Sequence, residues 1–420
     1  MFESIVRRPL TWLLAIAALV TALAMSVGYL GAFLGPESNV HDFPIGIVNS
    51  DAGVSAMGQS RNVGDEMLST ILAEDSPTSG KVEWHVYETR EELTKAIEAN
   101  DVYAGILIPE TFTQDLGGII QPQLVGNQPQ QATIEVLYNH GGGSIAASNA
   151  KTITSQVIVH VQALAQQEVQ ASISGDSVPV EMLTLYSSPV RVVENDLVPA
   201  IAHTGAGMAP IYFSIVVTVG GLLAASIINM GVDFMAGHAK MGPRLERLRG
   251  DAMPAGLKDM YLVKVALLLA VSLLGGVLTT VFTTQVLDMP VSNIWTLMGL
   301  AIIGMLAAGG PTLAFIAMIG TPGILLGLLL TTILGVPSSG GVFPHELMPR
   351  FYEWFGSIAP VRYLYEAVRS VVFFDGRGPA GLSTWWVILV WGILSLVVGY
   401  IVATVVDRNR SQNIQVATAD

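Results

Sequence analysis

The sequence predicts a polytopic α-helical membrane protein of six spans, with an extracytoplasmic α/β domain inserted between spans 1 and 2. Three observations lead there. No residue from Pro9 to Leu34 is charged, and about 20 apolar residues suffice to cross a bilayer as a helix. Roughly 160 polar, acidic residues follow, in which the periodicity changes to short strands alternating with helices. From Met208 to Thr404 most of the chain is compatible with hydrocarbon again.

Composition agrees and excludes several classes. Mean hydropathy is +0.55, and 13% of the residues are charged, too few to cover a soluble globule of 420 residues. Between Pro36 and Ala206 there are twenty-one Asp or Glu against six Lys or Arg, a net of −15, while the remainder sums to +2. A field of that sign does not seek nucleic acid. The chain has no cysteine, hence no disulfide and no thiolate metal site.

The boundaries follow the charges. Residues 1–9 read as a cytoplasmic interfacial elbow, with Phe2, Ile5 and Val6 towards lipid. Residues 10–34 form span 1. Ala22-Leu23-Ala24 has the form of a signal-peptide cleavage site, but the apolar run continues about ten residues past it, which favours an uncleaved anchor. Residues 35–206 form the α/β domain, and 207–406 hold spans 2 to 6. Span 2 is placed at Met208 to Met230 and span 3 between Lys264 and Asp288. Met289 to His345 contains no Asp, Glu, Lys or Arg. It reads as a hairpin: Trp295 to Ile319, a turn at Gly320-Thr321-Pro322-Gly323, then Ile324 to Val336, a limb short for a full span. Span 6 is Thr384 to Val405, with Trp385 and Trp386 where an interfacial belt sits. Residues 407–420 form a tail.

Basic residues mark the cytoplasmic side. They sit at Arg7 and Arg8, in loop 231–260 (Lys240, Arg244, Arg247, Arg249, Lys258) and after span 6 (Arg408, Arg410), which puts the acidic domain outside. Segment 338–382, also placed outside, strains the rule with Arg350, Arg362, Arg369 and Arg377. The expected location is a bacterial plasma membrane.

Within the α/β domain, Pro44 to Asn49 reads as a buried strand closed by the turn Ser50-Asp51-Ala52-Gly53. Val82 to Tyr87 alternates as a half-exposed strand. Thr89 and Glu92 have the spacing of a capping box opening a helix to Ala99. Val102 to Ile108 is another strand, Pro109 starts a short helix, Gln114 to Gln131 is a loop and Ala132 to Tyr138 a fourth strand. A helix over about Ser144 to Ile173 carries an apolar stripe of Ala146, Ala150, Ile153, Val157, Val161 and Leu164, expected to pack on the sheet. Gly141-Gly142-Gly143-Ser144 reads as a flexible turn with Ser144 as cap rather than an anion cradle.

The strand Ile45-Gly46-Ile47-Val48-Asn49 and turn Ser50-Asp51-Ala52-Gly53 resemble a motif of the YhgE/Pip family, bacterial membrane proteins related to the permeases of type-2 ABC exporters. So does the strand ending in Ile108-Pro109-Glu110-Thr111-Phe112. The longest match is Ser339-Gly340-Gly341-Val342-Phe343-Pro344-His345-Glu346-Leu347-Met348-Pro349, followed by Ala359-Pro360-Val361-Arg362-Tyr363 and Glu366-Ala367-Val368-Arg369. The outside domain is shorter than in many members, which argues against functions tied to a long extracellular region.

No phosphate-loop spacing, metal spacing or nucleophile elbow occurs, so the chain is not expected to be an enzyme or to hold a cofactor. The resemblance implies a permease subunit moving an amphipathic or lipid-like substrate, working as a homodimer in contact with membrane lipid and with a separate ATPase chain. The alternative it permits is an ATP-independent envelope scaffold, secretion-machine component or phage-entry receptor. Arg244, Glu246, Arg247 and Arg249, on a short helix, are the candidate ATPase contact, or else topogenic charge. Segment 338–382 resembles a re-entrant outer gate, with Phe343, Pro344, Arg362, Glu366 and Arg369 as its candidate residues. The last three fall at i, i+4, i+7 and read equally as a structural ion pair. Lys264 is expected to snorkel to the inner surface.

Overall fold

The structure, a computed structural model, describes residues 9–56, 59–73, 78–120, 129–171, 183–240, 242–249, 251 and 255–417. The elbow expected over Met1 to Arg8 lies outside them. The chain divides into two compact units, Glu37–Ile201 and Met1–Pro36 with Ala202–Asp420.

The first unit is built on a mixed five-stranded sheet. Its strands are β1 (Phe43–Asn49), β4 (Val82–Tyr87), β5 (Ala104–Ile108), β6 (Ala132–Asn139) and β7 (Val190–Val198), in the order β4-β1-β5-β6-β7. Within this sheet β5 and β6 pair antiparallel and the other neighbours pair parallel. β5 is buried throughout, as a central strand must be. β2 (Val54–Ala56) and β3 (Gln59–Arg61) form a separate small hairpin.

Helix α2 (Val63–Leu72) follows β3, and helix α3 (Arg90–Ala99) follows β4. Thr89 caps α3 by accepting from the Glu92 backbone N–H at 3.2 Å, while the Glu92 carboxylate accepts from the Glu88 N–H at 3.1 Å. This is the predicted box with its return bond one residue earlier. Fully buried Leu93 of α3 lies over Gly46 and Gly105, register partners on adjacent strands where a Cβ would collide with it.

The segment expected to be loop from Gln114 begins as helix α4 (Phe112–Ile120). Phe112, Leu116 and Ile119 are buried, and that apolar face outweighs the helix cost of Gly117 and Gly118. β6 runs as read, with one further residue. β7 had no counterpart in the sequence reading. The long helix, α5, is Ser144–Ala171; Ser144 is its first residue, and Gly143 with φ +105° precedes it instead of a serine cap. Its buried stripe runs through Ala147, Ala150, Thr154, Val157, Val161 and Ala165, whereas Leu164 of the expected stripe is exposed and Ile153 half-buried. Thr154 Oγ1 and Tyr138 Oη lie 3.0 Å apart. Tyr138 pairs with Ala104, whose neighbour Gly105 faces Leu93, so α5 and α3 cover opposite faces of the sheet.

The second unit contains α1 (Pro9–Phe33), α6 (Ala209–Met235), α7 (Pro243–Arg249), α8 (Leu257–Gln285), α9 (Ile294–Ile319), α10 (Gly323–Leu328), α11 (Arg350–Ile358), α12 (Pro360–Phe373) and α13 (Trp385–Ala417). Among the described residues four helical stretches are long and apolar enough to cross a membrane: α6, α8, α9 and the stretch Leu382–Asn409. The fold is therefore mostly helical, with a separate α/β unit. α9 is the most buried of the four, packed by α6, α8 and α13. Gly221 of α6 meets the Met305 backbone, Gly276 of α8 meets Ile302, and Gly310 of α9 meets Gly392 and Ser395 of α13, the close approaches that small residues permit. α8 begins at Leu257, seven residues before Lys264, so Lys264 stands inside a helix. The hairpin's second limb is a short helix that loosens into a π turn at Leu329–Ile333 and is not a long span.

Candidate functional site

Two places in the helical unit gather polar side chains. The first is the segment after the π turn. Short 3-10 turns at Pro337–Ser339 and His345–Leu347 lead into α11 and α12. Gly340 adopts φ +75° directly beneath the His345 imidazole, where any side chain would strike the ring. His345 donates from Nε2 to the Ser338 carbonyl at 3.1 Å, which fixes the tautomer. Burial, with Arg362 nearby, lowers its pKa to about 4.

Arg362 donates from Nε to Glu366 at 2.8 Å. The guanidinium of Arg369, a residue 9% exposed, lies over the Tyr365 ring, 5.3 Å from the centroid. Phe343 stacks on Phe33 of α1 with centroids 5.3 Å apart, and Pro344 opens the following turn. α1 is bonded here as well: Tyr352 Oη donates to the Val27 carbonyl at 2.7 Å and Tyr29 Oη to the Thr332 carbonyl at 3.2 Å. The candidate outer-gate residues thus divide into an ion pair, a cation-π pair and an aromatic clasp on α1.

The second place lies at the end of the bundle that carries the loop between α6 and α8. Lys264 does not snorkel. It is 8% exposed, and its ammonium donates to Asn229 Oδ1 and Asp233 Oδ1, each at 2.6 Å. Asn229 and Asp233 lie one turn apart on α6. A cavity of about 310 Å³ opens beside them, lined also by Thr321 at the α9–α10 turn and by apolar residues including Met260, Leu313 and Ile316. The sequence reading missed this cluster because its members are 31 and 35 residues apart; the available signal was charge at positions 233 and 264 beside two apolar runs. On α7, Arg244, Glu246 and Arg247 are exposed, while the Arg249 side chain lies outside the described residues. A further cleft of about 480 Å³, almost wholly apolar, lies between α9 and the approach to α13 near Gly299 and Trp385.

In the sheet unit the first two resemblance motifs meet. Asp51, buried, accepts at Oδ1 from the backbone N–H groups of Gly53 and Thr113, at 3.3 and 3.0 Å, and at Oδ2 from Gly64 N–H at 3.0 Å and the Thr113 hydroxyl. Thr113 Oγ1 in turn accepts from the Val63 N–H at 2.8 Å. The Asn-Ser-Asp turn therefore ties the end of β1 to the starts of α2 and α4, a positioning role. Among the described residues no group of three or more His, Asp or Glu is placed to hold a metal ion.

This architecture defines a class: a helical bundle apolar enough for the membrane, with an α/β unit inserted after its first helix. The particular family follows from comparison. Residues 14–405 match the family described as "Protein of unknown function (DUF3533)", and the chain belongs to it. It is also 20% identical over 195 residues to the uncharacterized protein YhgE of Bacillus subtilis (strain 168). That match takes in 45% of this chain and only 22% of the relative, and it agrees with the resemblance to YhgE-like proteins drawn from the motifs. No solved structure matches.

Proposed function

We propose that this protein is the permease subunit of a type-2 ABC-like exporter that moves an amphipathic or lipid-like substrate, driven by a separate ATPase chain. In this reading α1 and the α10 limb complete six spans with the four long helices, and the basic loop between α6 and α8 faces the cytoplasm of a bacterial plasma membrane. The α/β unit then stands outside, and two copies form a homodimer. The observation that carries the reading is α7. It is a short, exposed, basic helix on a loop joining two apolar helices, and this reading assigns it to passing force from a soluble partner into α6 and α8. Arg244, Glu246, Arg247 and Arg249 are its contact residues.

The test is purification in mild detergent from native membranes, with mass spectrometry of what stays bound. A stoichiometric ATPase, lost from the Arg244→Ala/Arg247→Ala variant together with transport, is the expected result. Envelope or secretion proteins in place of an ATPase would favour the scaffold reading, whose support is the separately compact unit Glu37–Ile201. Transport and ATPase association untouched by the double substitution would overturn the role of α7.

A further inference from the structure

We infer that the cavity beside Asp233 and Lys264 binds the head of a zwitterionic amphiphile, a primary ammonium and an anion carried on the same apolar body. The ion pair is the starting point. Lys264 and Asp233 are bonded at 2.6 Å between α8 and α6, in helices otherwise apolar over spanning length. Ionisable groups in such helices are costly, and those retained line pathways or sites. Among the described residues this pair is not saturated. An ammonium has three hydrogens and a carboxylate two oxygens; the bonds to Asn229 Oδ1 and Asp233 Oδ1 use two of the former and one of the latter. One N–H and one carboxylate oxygen remain beside a cavity large enough for a polar head, about 310 Å³.

The sign of the ligand follows. Asp233 and Lys264 balance, so a purely anionic head would face the carboxylate and a purely cationic head the ammonium, with desolvation of the second charge left uncompensated. A zwitterion closes a four-charge ring, its ammonium on Asp233 and its anion on Lys264 and Thr321. The rest of the wall, including Leu257, Met260, Ile316, Ala317 and Val406, offers apolar surface to the tail. This inference is independent of the ATPase. Binding can fail with transport intact, and the reverse.

The test is calorimetric titration of the purified full-length protein, in detergent, with three dihexanoyl phospholipids below their critical micelle concentrations. Phosphatidylethanolamine supplies both charges and N–H donors; phosphatidylcholine lacks the donors, and phosphatidylglycerol lacks the cation. The ethanolamine lipid is expected to bind at least about tenfold tighter than either, the worth of one charge-assisted hydrogen bond. The Asp233→Asn/Lys264→Gln variant, which keeps polar groups of similar size, is expected to level the three lipids. Ala317→Phe, which adds bulk to the cavity wall while leaving both charges in the sequence, is expected to weaken the ethanolamine lipid by about tenfold. Equal binding of all three lipids to the wild type, or a preference that survives both variants, would overturn the inference and leave the pair as a structural fastening.

Discussion

His345 occupies a socket made by the αL turn at Gly340 and the Ser338 carbonyl. Its ordinary value is 6.5 and its folded value about 4, so between those pH values the unfolded chain binds more protons than the folded one. Stability contributed by the neutral imidazole is complete above about 6.5 and is lost as the pH falls towards about 4. Thermal unfolding of the purified protein should therefore be steeper in pH across that window than for His345→Gln, whose amide keeps a donor for the Ser338 carbonyl. Parallel curves for the two proteins would remove His345 from the acid response. Asp51 gives a second prediction. Asp51→Ala leaves the Gly64 and Thr113 N–H groups without their acceptor, at a cost of about 1–3 kcal/mol for each donor left buried. The melting temperature should fall and the amides at the start of α2 should exchange faster. The same residue shows why a motif can identify a family without marking chemistry, since its oxygens are occupied by the fold.

α1 is held as an element by its last two turns. Tyr29 and Phe33 meet Thr332 and Phe343, and the Val27 carbonyl takes the Tyr352 hydroxyl. The Thr332 contact falls within the π turn Leu329–Ile333, where the helical bonding pattern is already irregular. Because the chain has no cysteine, the contact can be tested directly: Phe33→Cys/Phe343→Cys should be bridged within one chain by a short bismaleimide, and Trp12→Cys/Phe343→Cys, whose first cysteine lies about 30 Å from Phe33 along α1, should not. Equal yields would contradict this docking. At this scale the sequence was legible wherever signals are local. β1, β4 and the cap of α3 come from alternation and one Thr/Glu spacing. β7 was not legible, because Arg191, Glu194, Asn195 and Asp196 are polar residues on an edge strand that buries only its ends and shows no apolar alternation. α4 was hidden by its glycines. The Lys264 pairing was hidden because it joins two helices, and a single apolar run with one lysine reads as a helix end. The candidate site was therefore legible as segments 231–260 and 338–382, but not as a cavity.

The whole bundle turns on α9, against which three long helices close through glycine. Gly221→Leu would drive a side chain into the Met305 backbone, with no flexible neighbour to yield. Overpacking of that kind costs about 1–3 kcal/mol or more. The variant should show a lower melting temperature in detergent, with the α/β unit's far-ultraviolet signal retained if the two compact units melt separately; a single unchanged transition would contradict the placement. The buried pair of α6 and α8 also bears on how the chain is made. A lysine or aspartate costs an inserting helix up to about 2.5–3.5 kcal/mol, the figure for the bilayer centre, so in the membrane reading α8 delivered alone meets lipid with Lys264 unneutralised. Delivered with α6 it arrives already bonded to Asn229 and Asp233. Synthesis of this protein should then hold the earlier helix at the insertion machinery until the later one emerges, releasing both to the lipid as one hairpin with α7 at its tip.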